Sequence, residues 1–125
     1  MRIVLIFIIG IALYSCSDNI ITSPDQIVFP QENVSYQQQV RPLLELTCAF
    51  SNCHDSETAA AGVDVTGYFQ LTFRAGLIIP GRPDNSLLIQ ILEGKQGHLL
   101  TFQNRITDAQ KRGVRKWVLE GALNN

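Results

Sequence analysis

Methionine is nearly absent from this 125-residue chain: Met1 is the only one, and there are only two histidines, His54 and His98. Thioether and imidazole ligation therefore have very few places to sit. Three cysteines, Cys16, Cys48 and Cys53, are too few for a disulfide-dense scaffold. Charge is sparse at 17 %, and no excess of basic residues exists: 10 Lys and Arg stand against 11 Asp and Glu. That balance argues against a nucleic-acid partner, which calls for a basic patch. No apolar run approaches the roughly 20 residues of a membrane-spanning helix. No repeat, low-complexity tract or sustained period-2 alternation is present, so the expected fold class is all-α with long loops.

The one unbroken apolar stretch lies at the start, "MRIVLIFIIGIALYSC". Arg2 supplies a positive start and Ile3 to Leu13 an apolar run of the length of a secretory h-region. Leu13-Tyr14-Ser15-Cys16 resembles a bacterial lipobox, in which the cysteine thiol takes diacylglycerol before cleavage. The expected division is a signal peptide over 1–15, a lipidated tether over 16–33 and a folded domain over 34–123. The mature chain then carries nine basic against eleven acidic residues. It works outside the cytoplasm, anchored by lipid to a bacterial membrane, where disulfides are permitted. Ser17 after Cys16 favours the outer membrane. "SDNIITSPDQIVFPQEN" is polar, carries Pro24 and Pro30 and has no helical period, as a tether would. The alternative is that "QIVFP" packs on the domain as a short strand.

Within the domain, Tyr36, Val40, Leu43 and Leu44 form a helical stripe capped by Ser35, with Pro42 awkward in its middle. A short helix is expected near 67–74, and another over "SLLIQILEG" with Leu87, Leu88, Ile91 and Leu92 apolar. Asp84, Asn85 or Ser86 caps the second and Gly94 stops it. The last helix begins at Thr107, where Gln110 completes a capping box. Ala109, Val114, Trp117 and Val118 line its apolar face.

The chemistry concentrates in "LELTCAFSNCHDS". Cys48 and Cys53 are the two cysteines left after lipidation, and His54 follows the second directly. Three readings fit these residues. In covalent haem attachment two thiols add to the porphyrin vinyl groups and the adjoining histidine ligates iron; the usual spacing is C-x-x-C-H, and here four residues intervene. A Cys48–Cys53 disulfide would close a short loop of modest stabilising value. A zinc site would need a fourth ligand, from His98 or an aspartate.

The pieces "VRPLLELTC", "CHD", "GVDVTGY", "IIPGRPDNSLL" and "KWVLEGA" run in order across residues 36–122. Together they resemble class I cytochrome c, and more closely the planctomycete-type cytochrome c domains of bacterial lipoproteins. The resemblance implies a small all-α fold around one covalently bound haem c. Cys48 and Cys53 would be its thioether residues and His54 its proximal iron ligand. It also implies that the Pro80 carbonyl accepts the proton of the other His54 ring nitrogen, fixing the imidazole. Val63, Val65, Tyr68, Leu77 and Ile79 would wall the haem, Arg82 could meet a propionate, and Trp117 would pack on the first helix near Tyr36 and Val40.

The distal ligand departs from the pattern. In this group a methionine stands in the loop before the last helix; here that loop reads "GKQGHLLTFQ" and Leu99 takes its place. Three outcomes are open: His98 ligates in its stead, the iron is five-coordinate, or Lys95 or another donor serves. Loss of the methionine should lower the reduction potential. The functional expectation is a membrane-anchored mono-haem cytochrome passing single electrons between extracytoplasmic redox proteins, not an enzyme, since no acid–base set accompanies the site. The competing expectations are a haem-free binding or structural lipoprotein with a Cys48–Cys53 disulfide, and a haem protein that binds a small ligand at open iron.

Overall fold

A computed structural model describes residues 20–50, 53–98 and 105–125. Among these residues the chain is all-α, with helices and turns and no strand. The signal-peptide and lipobox residues, including Cys16 and Ser17, lie outside the described residues, as does Leu99. No described helix is long and apolar enough to cross a membrane.

The first helical segment comes in two gauges. Ser35 caps it, its hydroxyl accepting from the Gln38 N–H at 3.2 Å. Tyr36–Val40 winds as a π-helix and passes directly into α1, Arg41–Thr47. Pro42, near the start of α1, explains the change. Its ring would strike the Gln38 carbonyl in a regular α-turn, and it has no N–H to offer. The wider π-turn before it accommodates both defects, and the predicted stripe of Tyr36, Val40, Leu43 and Leu44 is fully buried.

Among the described residues three further α-helices follow: α2, Tyr68–Phe73, α3, Leu87–Leu92, and α4, Asp108–Leu119. Before α3 the chain turns sharply over 76–86. Ser86 occupies the N-cap position of α3, yet its hydroxyl serves the preceding turn. It accepts from the Ile79 N–H at 2.9 Å and donates to the Arg82 carbonyl at 3.0 Å. Gly94, at φ 71°, ends α3 in the left-handed region.

α4 opens on the predicted capping box, with Gln110 N–H to Thr107 Oγ1 at 3.2 Å and Thr107 N–H to Gln110 Oε1 at 2.9 Å. Its buried face is Gln110, Gly113, Val114, Trp117 and Val118. Ala109, expected on that face, is exposed; Gln110 takes the inward position because its amide has bonds to make there. Trp117 stacks on Tyr36 with ring centroids 5.6 Å apart, and Tyr36 meets Tyr68 edge-on at 5.2 Å. This aromatic trio joins the first helical segment, α2 and α4.

The described part of the expected tether is fastened to the domain, though not as a strand. Ile27 is buried in the core and Ile21 packs against it. Gln110 Nε2 donates to the carbonyls of Pro24 and Ile27 at 2.7 and 3.2 Å. The Phe29 ring lies on Gly113, where an added Cβ would come within 2.1 Å of it. The Glu120 carboxylate accepts from the N–H groups of Asn33 and Val34 at 3.0 and 2.9 Å. This strap extends the folded body well ahead of residue 34. At the other end, Asn125 bonds the Tyr36 and Gln37 N–H groups, so the body also continues beyond 123.

Candidate haem-binding cleft

The functional side chains converge at the C-terminal end of α1. Cys48 caps that helix, its N–H donating to the Leu44 carbonyl at 2.8 Å. The chain then loops, and His54 is fixed three times over. Its N–H donates to the Cys48 carbonyl at 3.1 Å, and its carbonyl accepts from the Val65 N–H at 2.9 Å. Its ring Nδ1 lies 3.2 Å from the Val63 carbonyl. Asp55 braces the following turn by accepting from the N–H groups of Glu57 and Thr58 at 3.1 and 2.7 Å. Ala59 and Ala61 hold positive φ, 41° and 56°, in this same loop. Left-handed non-glycine residues cost of order 1 kcal/mol or more, and they persist where surrounding bonds over-determine them.

The Nδ1 contact settles a tautomer. A carbonyl only accepts, so Nδ1 carries the proton, and in the neutral ring Nε2 is left with its lone pair. This is the arrangement that orients a metal-ligating histidine. The carbonyl in that role belongs to Val63, where Pro80 was expected. Pro80 is exposed in the 79–82 turn and does not line the cleft.

His54 Nε2 faces His98 Nε2 across 3.5 Å, with ring centroids 5.8 Å apart. The two histidines of the sequence, 44 residues apart, are thus brought together. Two imidazoles sharing one metal ion at the usual bond length of about 2.0–2.1 Å need at most roughly 4 Å between nitrogens, so a small outward movement suffices. Among the described residues no cluster of three or more His, Cys, Asp and Glu side chains is placed to hold a bare metal ion.

Cys48, Cys53, His54 and His98 all line one cleft. Its cavity volume is about 180 Å³, below the roughly 300–1,000 Å³ of small-molecule and cofactor sites, so a ligand of haem size would need the cleft to open. Val63 and Val65 form one wall, Leu71 of α2 and Leu77 the next, and the α3 stripe of Leu87, Leu88, Ile91 and Leu92 the floor. Tyr68 and Ile79, expected as walls, are engaged elsewhere. Tyr68 donates to the Ala122 carbonyl at 2.8 Å, and the Ile79 N–H is held by Ser86.

Cys48 and Cys53 are not joined in a disulfide, and both are partly buried. Burial pushes the Cys48 thiol up, against the Thr47 hydroxyl 3.4 Å from its sulfur, which favours the thiolate. Cys48 is therefore a protonated thiol near neutral pH rather than an activated nucleophile.

Three participants escaped sequence reasoning. Arg74 lines the cleft, just past the end of α2, and its guanidinium donates to the Ala61 carbonyl; Arg82, the expected cation, is exposed on its turn and does not line it. The Arg105 guanidinium sits 4.3 Å from the centre of the Phe50 ring. That cation–π contact joins the cysteine loop to the chain that follows His98. Arg74 is the C-cap of α2, with extended backbone, and its nearness in sequence to Leu71 was the only available signal for the first.

The residues present, two cysteines and two histidines beside an apolar cleft, are the side-chain types that covalent haem attachment uses. No protein-family model, curated protein or solved structure matches this chain. What stands is an all-α domain that gathers two cysteines and two histidines around an apolar cleft.

Proposed function

We propose that this chain is a membrane-anchored mono-haem c-type cytochrome carrying single electrons between extracytoplasmic redox proteins. The observation that carries the reading is the facing pair His54 Nε2 and His98 Nε2, 3.5 Å apart in an apolar cleft also lined by Cys48 and Cys53. Cys48 and Cys53 would hold haem c by thioether bonds, His54 would be the proximal ligand and His98 the distal one. Haem iron, when bound, supplies a one-electron couple.

The chain's own groups do the tuning. The Val63 carbonyl holds the His54 proton on Nδ1 and raises the ring's basicity at Nε2. Imidazole in place of a thioether favours a low potential. The apolar floor from α3 keeps water from one face of the site. Arg74, the one Lys or Arg lining the cleft among the described residues, is the natural partner for propionate charge. A lipid on Cys16 would keep the carrier at a membrane.

The test is expression of the full chain with a c-type cytochrome maturation system, followed by denaturation and acid-acetone extraction. Haem that stays with the polypeptide supports the reading. Haem that extracts freely, or a chain that takes up none and forms a Cys48–Cys53 disulfide, refutes it.

A further inference from the structure

We infer that the strap face of the domain, centred on Ile20 and Val28 with Arg112 beside it, seats directly on the phospholipid surface. The inference rests on the lipid anchor at Cys16 proposed above. Its physical basis is the shortness of the leash. Ile21 already packs against the core, and the Thr22 N–H donates to Gln26 Oε1 at 2.8 Å. From there on the chain is fastened to α4 through Gln110, Gly113 and Glu120. Only four residue steps separate Cys16 from Ile20, and even fully extended they reach roughly 14 Å. A lipid on Cys16 therefore keeps Ile20, and the face around it, within roughly 14 Å of the anchored cysteine.

The face is built for that position. Ile20 and Val28 are 76 % and 78 % exposed, although both are aliphatic. They line one groove together. Val28 also lines the adjoining groove with Arg112 and Asp25; Lys116, which lines it too, is paired with Glu120 at 3.6 Å. Exposed aliphatic groups insert into the interface, and a long basic side chain beside them reaches phosphate while its stem stays in apolar surroundings. Phe50, Leu119 and Leu123 are exposed as well, and so are Phe69 and Phe73, which lie one turn apart on α2. Neither lines either groove of the strap face.

The test uses the full lipidated chain in vesicles of phosphatidylethanolamine and phosphatidylglycerol doped with a phospholipid carrying a photoactivatable diazirine. Intact mass reads lipidation at Cys16 and peptide mapping reads the cross-links. We expect cross-links concentrated over residues 20–31 and lost from them in the doubly substituted Ile20→Asp, Val28→Asp chain, with lipidation and helical content unchanged. A lipidated chain whose cross-links fall at Phe69 and Phe73, or nowhere in the folded body, overturns the seating and leaves the anchor intact. A chain that carries no lipid at Cys16 overturns the anchor and the seating together.

Discussion

His54 and His98 point their Nε2 atoms at each other across 3.5 Å, while His54 Nδ1 is tied to the Val63 carbonyl at 3.2 Å. The second bond gives the first its meaning, because it leaves the His54 lone pair on the nitrogen that faces the cleft. Replacing His98 should therefore change the ligation of the iron and leave the attachment of the haem intact. In the haem-loaded protein His98→Ala should keep haem attached and change low-spin iron to a high-spin form that binds carbon monoxide. His98→Met should restore low-spin iron and raise the reduction potential, since methionine ligation favours the reduced state. Optical spectra and a redox titration check both. An unchanged low-spin spectrum in His98→Ala removes His98 from ligation.

Gly113 and Phe29 give a stability prediction of opposite sign to helix propensity. Alanine for glycine within a helix ordinarily gains about 0.5–1 kcal/mol. Here the new Cβ would fall 2.1 Å from Phe29 Cγ and 2.6 Å from its Cβ, so the strap must lift. Gly113→Ala should destabilise by about 1–3 kcal/mol, as overpacking does. It should also open residues 24–34 to protease. Denaturant unfolding and limited proteolysis read the two effects, and a stabilised variant would contradict the packing.

Ser86 is fully buried and serves two backbone groups of the turn before α3. Ser86→Ala leaves the Ile79 N–H without that acceptor and should cost about 1–3 kcal/mol. Tyr36 presents the reverse case. Its hydroxyl is buried with no hydrogen-bond partner among the described residues, and burial raises its pKa to about 12. Tyr36→Phe keeps the stacking on Trp117 and removes an unsatisfied group, so it should be neutral or stabilising by about 1 kcal/mol. Melting temperatures of the two variants should move in different directions or by clearly different amounts.

Acid should weaken the molecule through three carboxylates. The Arg115 guanidinium holds Asp84 below the usual range, at 2.5 Å. Lys95 and Arg115 do the same to Glu93, and at Glu120 burial works upward but is outweighed by the Val34 and Asn33 N–H donors and Lys116. A carboxylate whose folded pKa is depressed contributes its stability above its unfolded value, near 4. That contribution fades as pH falls through the lower folded value. The melting temperature should fall below about pH 4, and the fall should be shallower in Glu120→Gln. The strap should detach first, because Glu120 holds its last two residues. Equal pH slopes in the two proteins would show that Glu120 carries no such linkage.

The sequence made some of this legible for identifiable reasons. Thr107 and Gln110 form a local pattern whose geometry is fixed by spacing alone, and the capping box is there. Leu87, Leu88, Ile91 and Leu92 line the cleft from α3, as a helical stripe must line something. Pro80 could not be singled out from the sequence because every residue has a carbonyl. Which one meets His54 depends on how the loop from Cys48 to Val65 closes, and Val63 is brought there by backbone bonds no pattern encodes. The strap was hidden for a similar reason. Gln110 reads as a cap and Gly113 as a weak spot in a helix until Pro24, Ile27 and Phe29 lie across them. Arg105 and Phe50 meet across 55 residues of chain, beyond the reach of any local rule.

The most direct test of the central claim is the mass of the proteolytic peptide that contains Cys48, Cys53 and His54, taken from protein matured with haem-attachment machinery. This peptide should carry haem through both cysteines, and neither thiol should be alkylated. A peptide with two alkylatable thiols, or one lighter by two hydrogens from a Cys48–Cys53 disulfide, would contradict it.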